Sequence, residues 1–132
     1  MNRLAMEEKR QNVIVEKTEH FADRIIKMYS YLLNERRCNN QIVELKQVKR
    51  SGTSIGANTA EGQYAQTKAD FLTKMTIALK EANETRFWLH RLHAGGTLSD
   101  KEHESIINDI EEIINILVKI TGTTKKNLEN TR

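Results

Sequence analysis

Five cations crowd one short stretch of the chain: Arg36, Arg37, Lys46, Lys49 and Arg50 stand there against a lone acidic residue, Glu44. Lys and Arg at this density suit phosphate, because they neutralise a nucleic-acid backbone without reading its sequence. An ordinary solvated helix face carries the same residue types. The aromatic residues Tyr64, Phe87 and Trp88 lie elsewhere, so no stacking platform for bases sits beside the cluster. The net charge is only +3, but residues 1–98 hold 16 Lys and Arg against 11 Asp and Glu, while 99–132 hold 5 against 7. The positive excess belongs to the first three quarters of the chain.

Other residue types in the chain could serve catalysis. His90 and His93 lie three apart, and Asp100 with His103 makes a carboxylate-x-x-His pair. A di-iron bundle needs two inward Glu-x-x-His motifs on different helices plus two further glutamates, and only fragments are present. The segment Gly52 to Gly56 lacks the Lys-Ser/Thr ending of a phosphate-cradling loop and follows no strand. Cys38 has Arg36 and Arg37 beside it, but no histidine is placed to activate it, which makes it a lone surface thiol. Glu61, Glu81 and Glu84 are of the kind that bundle helices use for cross-helix ion pairs. The reading is a protein that binds partners, with no catalytic residue, no metal and no cofactor.

The elements that must position these residues are helices. Proline is absent and the six glycines are mostly clustered, leaving long stretches free of helix breakers. Phe21, Ile25, Met28 and Leu32 are spaced by 4, 3 and 4, which predicts helix 1 over about 18–36. Leu45, Val48, Gly52, Ile55 and Thr59 repeat the alternation in helix 2, about 40–62, with Asn39 and Asn40 before it and Gly62 after it as caps. Phe71, Met75, Ala78, Ala82, Thr85, Leu89 and Leu92 carry helix 3 over about 67–93, opened by Thr67 and Asp70. Ile106, Ile110, Ile113, Leu117 and Ile120 carry helix 4 over about 99–121, opened by a capping box from Ser99 to Glu102.

A period averaging 3.5, with connections of about three to seven residues, predicts an all-α fold: an antiparallel up-down-up-down four-helix bundle in one domain over 1–132. Residues 1–17 and 122–132 lack the periodicity and are expected to fray, with Val13, Ile14 and Val15 docking locally. One cysteine allows no internal disulfide and suits a reduced compartment. The charged first twenty residues do not read as a signal peptide, and no uncharged stretch approaches the roughly 18 residues that span a bilayer. The expectation is a cytoplasmic protein with no membrane partner.

Helix 2 departs from an ordinary bundle helix. Gly52, Gly56 and Ala60 share one face, while Ser51, Ser54 and Asn58 make a second narrow face. An interior glycine costs roughly 0.5–1 kcal/mol against alanine, so two of them call for close approach by another backbone. Tight packing within the bundle supplies it, and so does a neighbouring subunit pressed on the second face. Ile77 and Trp88 project to one side of the helix 3 stripe, where the tryptophan serves as an interface anchor or is absorbed by a wide core. Ser54, Asn58, Ile77 and Trp88 are therefore the candidate interface of a homo-oligomer.

The linked motifs carry a resemblance. Ser51-Gly52-Thr53-Ser54-Ile55-Gly56-Ala57-Asn58, then Ala60-Glu61, Asp70-Phe71, Ile77-Ala78-Leu79-Lys80-Glu81-Ala82, Glu84-Thr85 and Trp88-Leu89 resemble the bacterial four helix bundle protein family, whose founding members are encoded by intervening sequences in 23S rRNA genes. Asn12-Val13-Ile14 and Thr123-Thr124-Lys125-Lys126-Asn127 extend the likeness over nearly the whole chain. Ala69 and Thr59 depart from the family's usual charged and aliphatic residues. The family is similar to the accessory variability protein of diversity-generating retroelements, a basic, barrel-like homopentamer that works with a reverse transcriptase and nucleic acid. The resemblance thus implies a ring-like homopentamer, an RNA-linked role, and RNA, DNA or a protein such as a reverse transcriptase as partner. The competing expectation is a protein-interaction adaptor that binds no nucleic acid, its basic residues serving only solubility.

Overall fold

The computed structural model describes residues 2–131, of which four helices account for most: α1 (Arg3–Asn34), α2 (Ile42–Gly62), α3 (Lys68–Ala94) and α4 (Asp100–Asn130). There is no strand among the described residues. Three of the helix starts are chemically fixed. The Asn2 side chain accepts from the Ala5 N–H at 2.8 Å, and Thr67 accepts from the Asp70 N–H at 3.0 Å. At α4 the Ser99 N–H donates to Glu102 at 2.9 Å while the Glu102 N–H donates to Ser99 Oγ at 3.2 Å, the reciprocal capping box expected there.

Each helix packs on the two beside it, α1 on α2, α2 on α3, α3 on α4 and α4 on α1, while among the described residues the backbones of diagonal helices do not approach closely. The stripes read from the sequence are the buried ones: Phe21, Ile25 and Leu32, then Leu45, Val48 and Ile55, then Met75, Ala78 and Leu89, then Ile110, Ile113 and Leu117 all lie in one core. Only Met28 and Phe71 among the stripe residues are half-buried.

The ends of the chain differ from expectation. α1 starts at Arg3 instead of about residue 18, and α4 runs to Asn130 instead of about 121, so both ends are helical over the described residues. For Met1 and Arg132 that expectation lies outside them. The extensions support one another: Ile14 and Thr18 are buried on α1, Ile120 and Thr124 on α4, and Asn127 Nδ2 donates to Glu7 at 3.3 Å. Threonines hide this part of the stripe from a hydropathy reading. The Thr18 hydroxyl donates to the Ile14 carbonyl and that of Thr124 to the Ile120 carbonyl, each at 2.7 Å, so a polar residue occupies a core position with its proton satisfied inside its own helix.

The two faces of α2 meet different helices. A Cβ on Gly56 would lie 3.1 Å from the backbone carbonyl oxygen of Thr18, and one on Gly52 would lie 3.1 Å from the Ile25 side chain. The glycines therefore let α1 approach. On the other side the Thr85 hydroxyl donates to Ser51 Oγ at 2.8 Å, and Ser51 donates to the Gln47 carbonyl at 2.8 Å, which satisfies a buried polar contact between α2 and α3.

Asn39 and Asn40 do not cap α2 as expected. Both have positive φ, 46° and 63°, and they form the middle of a turn closed by the Gln41 N–H donating to the Cys38 carbonyl at 2.7 Å. Asparagine tolerates this conformation because its short side chain bonds locally. The cap position falls to Gln41, whose side chain instead donates from Nε2 to the Arg91 carbonyl at 2.8 Å.

Candidate nucleic-acid interface

The end of α1 sets the first two cations. The Arg37 N–H donates to the Leu32 carbonyl at 2.9 Å and the Arg36 N–H to the Leu33 carbonyl at 3.1 Å, the pattern that closes a helix with a left-handed residue. That residue is Arg36, with φ 53°, where glycine is the usual occupant. A side chain in this conformation costs roughly 1–2 kcal/mol. Its guanidinium makes no hydrogen bond or ion pair to the described residues, and the residue is exposed. An Arg36→Gly chain should therefore be slightly more stable than the parent, by roughly up to 1 kcal/mol, as chemical denaturation would measure.

Arg37, one residue on, is turned inward. It clamps Glu102 of α4 at 2.7 and 3.2 Å, reaches the Thr97 carbonyl at 3.4 Å and lies over the Tyr31 ring. The guanidinium bond, followed by the Ser99 N–H, holds the Glu102 carboxyl down to about 2. A depressed carboxylate contributes stability that is present above its ordinary value of 4.5 and is lost as pH falls toward 2. Arg37→Met should shrink that acid limb. Stability of parent and variant measured across this window should diverge above it and converge below it.

Arg50 is committed as well. It bridges from α2 to Glu81 and Glu84 of α3, with its Nε donating to Gln47 at 3.1 Å. Lys49 lies over the Tyr29 ring of α1 at 4.3 Å, which leaves its ammonium exposed to solvent on one side. Lys46 is exposed and has no partner among the described residues. The five cations thus divide: Arg36 and Lys46 are free, Lys49 is half engaged, and Arg37 and Arg50 neutralise carboxylates. Sequence reasoning missed this division because the carboxylates concerned lie 31 to 65 residues away. Glu61, read as structural, pairs with Lys74 at 2.6 Å.

Of the candidate oligomer residues, Ser54 and Asn58 are half-buried on α2, and Asn58 Nδ2 donates to the Ser54 carbonyl at 2.9 Å. Ile77 is exposed. Trp88 is half-buried against the core and meets the Phe87 ring edge-on, with centroids 5.0 Å apart. Its indole Nε1 is enclosed yet has no hydrogen-bond partner among the described residues. An enclosed N–H left without an acceptor costs about 1–3 kcal/mol. No sequence signal points to it.

His90, His93, Asp100 and His103, separate fragments in the sequence, come together where α3 turns into α4. Among the described residues no group of three or more His, Cys, Asp or Glu is placed to hold a metal ion. Cys38 is half-buried against the core, with its sulfur toward the Leu32 carbonyl, where a surface thiol was expected. No helix among the described residues is long and apolar enough to cross a membrane.

The fold defines an all-helical four-helix bundle protein. The chain belongs to the family described as 23S rRNA-intervening sequence protein, whose model matches residues 10–119. It is similar to a protein of unknown function from the S23 ribosomal protein family of Bacteroides thetaiotaomicron VPI-5482, known from a 1.70 Å crystal structure, with 45% identity and a TM-score of 0.80. The match covers 86% of this chain and 98% of that one. No curated protein matches the chain. Neither the family nor its structural neighbour points to catalysis.

Proposed function

We propose that this chain is a non-enzymatic, antiparallel up-down-up-down bundle of the cytoplasm that assembles into a ring, a homopentamer by family resemblance, and binds RNA or DNA through phosphates. The observation that carries the binding is that Arg36 and Lys46 are exposed and bond to nothing among the described residues, with Lys49 exposed one turn along α2 from Lys46. Arg36 persists in a strained backbone conformation where glycine costs less, and such strain is kept where a side chain is needed. The contact set is then Arg36, Lys46 and Lys49, with Arg37 and Arg50 holding the helices that present them. A reverse transcriptase remains a candidate protein partner.

Assembly would use the α2 and α3 faces bearing Ser54, Asn58, Ile77 and Trp88. The exposed Ile77, with the half-buried Trp88 ring beside the exposed Phe87, supports this, since together they leave apolar surface on one side of α3. Trp88→Ala should lower the solution mass to that of a folded monomer, read by sedimentation together with circular dichroism. Loss of helical signal with no folded monomer would place Trp88 in the core alone. The exposed Ile42 and Val43 beside the basic strip favour a second reading, a protein-binding adaptor. Co-purification of one protein in fixed ratio, with no nucleic-acid binding at low salt, would establish that reading instead.

A further inference from the structure

Three of the four histidines form one contact at the α3–α4 end of the bundle. His90 Nδ1 and His103 Nε2 are 2.9 Å apart, while the His93 ring stacks on the His103 ring with centroids 3.9 Å apart and planes within 7°. His93 Nε2 in turn meets Asp100 Oδ1 at 2.7 Å. A nitrogen–nitrogen contact of this kind holds one proton: one imidazole donates and the other must be neutral to accept. With both rings protonated, two N–H groups face each other and the bond is lost.

The surroundings offset that charge only in part: His93 lies in the last turn of α3, where the helix dipole favours a cation. Asp100 is the carboxylate in direct contact, and its side chain is 99% exposed, so water screens it. On α3, Arg86 is held by Glu111 of α4 and Arg91 lies over the Phe87 ring. On α4, Glu102 is already taken by Arg37 of the α1–α2 loop, and Glu104 and Lys101 are exposed and opposite in sign. His103 also sits in the opening turns of α4, where the helix dipole disfavours a cation.

We propose that these histidines are a proton-sensitive latch that holds the end of α3 to the start of α4 while one ring of the His90–His103 pair is neutral and opens it when both are protonated. The latch reaches beyond its own helices, because the α1–α2 loop is fastened to the same turn. The Thr97 hydroxyl lies 2.8 Å from the Cys38 carbonyl, Gln41 donates to the Arg91 carbonyl, and Arg37 reaches the Thr97 carbonyl. Opening therefore loosens the loop that carries Arg36 and Arg37. Burial, then the charges of His93 and His90, push the His103 imidazole below its ordinary value of 6.5, against an upward pull from Asp100. A lowered folded value means that the unfolded chain binds more protons just below 6.5, so stability is full above that value and falls as pH drops beneath it.

Amide hydrogen exchange on the whole chain, corrected for the intrinsic pH effect, tests the latch against a His103→Gln variant. In the parent, protection over residues 92–106 should fall on the order of tenfold between about pH 7.5 and 5.5, with the middle of α1 unchanged. The variant should lose less than about threefold. Equal pH dependence in the two chains, or a loss spread evenly over all helices, would overturn the proposal. An imidazole titration by NMR on the parent keeps the test open if the variant does not fold: His103 should titrate below the ordinary imidazole value of 6.5, and a titration at or above it would also overturn the proposal.

Discussion

Gly56→Leu should unfold the bundle or cost it a large part of its stability. The Cβ alone would lie 3.1 Å from the Thr18 carbonyl oxygen, which belongs to the backbone of α1 and cannot rotate away. The rest of the leucine then drives α2 from α1, which also separates Gly52 from Ile25. Overpacking costs roughly 1–3 kcal/mol and more where backbone must move. Against a total of about 5–15 kcal/mol, that is a severe loss. Thermal melts followed by circular dichroism measure it, with Gly56→Ala as the graded control: its single methyl needs a shift of only a few tenths of an ångström. A leucine variant that melts with the parent would mean that α1 does not approach α2 at this glycine.

Reversing the free cations should weaken nucleic-acid binding far more than it disturbs the fold. Arg36→Gly with Lys46→Glu removes two side chains that bond to nothing in the described chain, so the helices should remain. If each contacts a phosphate, each loss lowers the logarithmic salt slope by about 0.7–0.9, depending on strandedness. Repeated around a ring, the loss multiplies through effective concentration, and the fall in affinity should exceed that of either single variant. Titration with single-stranded and duplex RNA at several salt concentrations reads both quantities. Equal affinity and equal slope in parent and variant would remove this strip from the binding surface. Arg50 is the wrong residue to reverse: Arg50→Glu would set a third carboxylate beside Glu81 and Glu84 and lose binding through misfolding.

The two tests rest on different kinds of information. That Gly52 and Gly56 need a close neighbour is legible in the sequence, because a helix interior without a side chain is costly unless another backbone uses the space. Which neighbour uses it is not legible, and the packing against Thr18 and Ile25 of α1 answers it. The basic cluster is legible as composition. Its division into free and committed members is not, since Glu102, Glu81 and Glu84 are brought to Arg37 and Arg50 only by the fold.

The sequence by itself determined what depends on neighbours a few residues apart: four apolar stripes, the Thr67 and Ser99 caps, and the absence of strand signals. These are local because helix hydrogen bonds and side-chain faces repeat within one or two turns. Tertiary structure alone decided what depends on distant residues. It turned the polar ends into continuous helices by packing Ile14 and Thr18 of α1, and Ile120 and Thr124 of α4, into the bundle. It gathered three histidines at one joint and left the Trp88 N–H enclosed without an acceptor among the described residues. Each of these is a balance of desolvation against a partner on another helix, and no periodicity along one helix records where that partner stands.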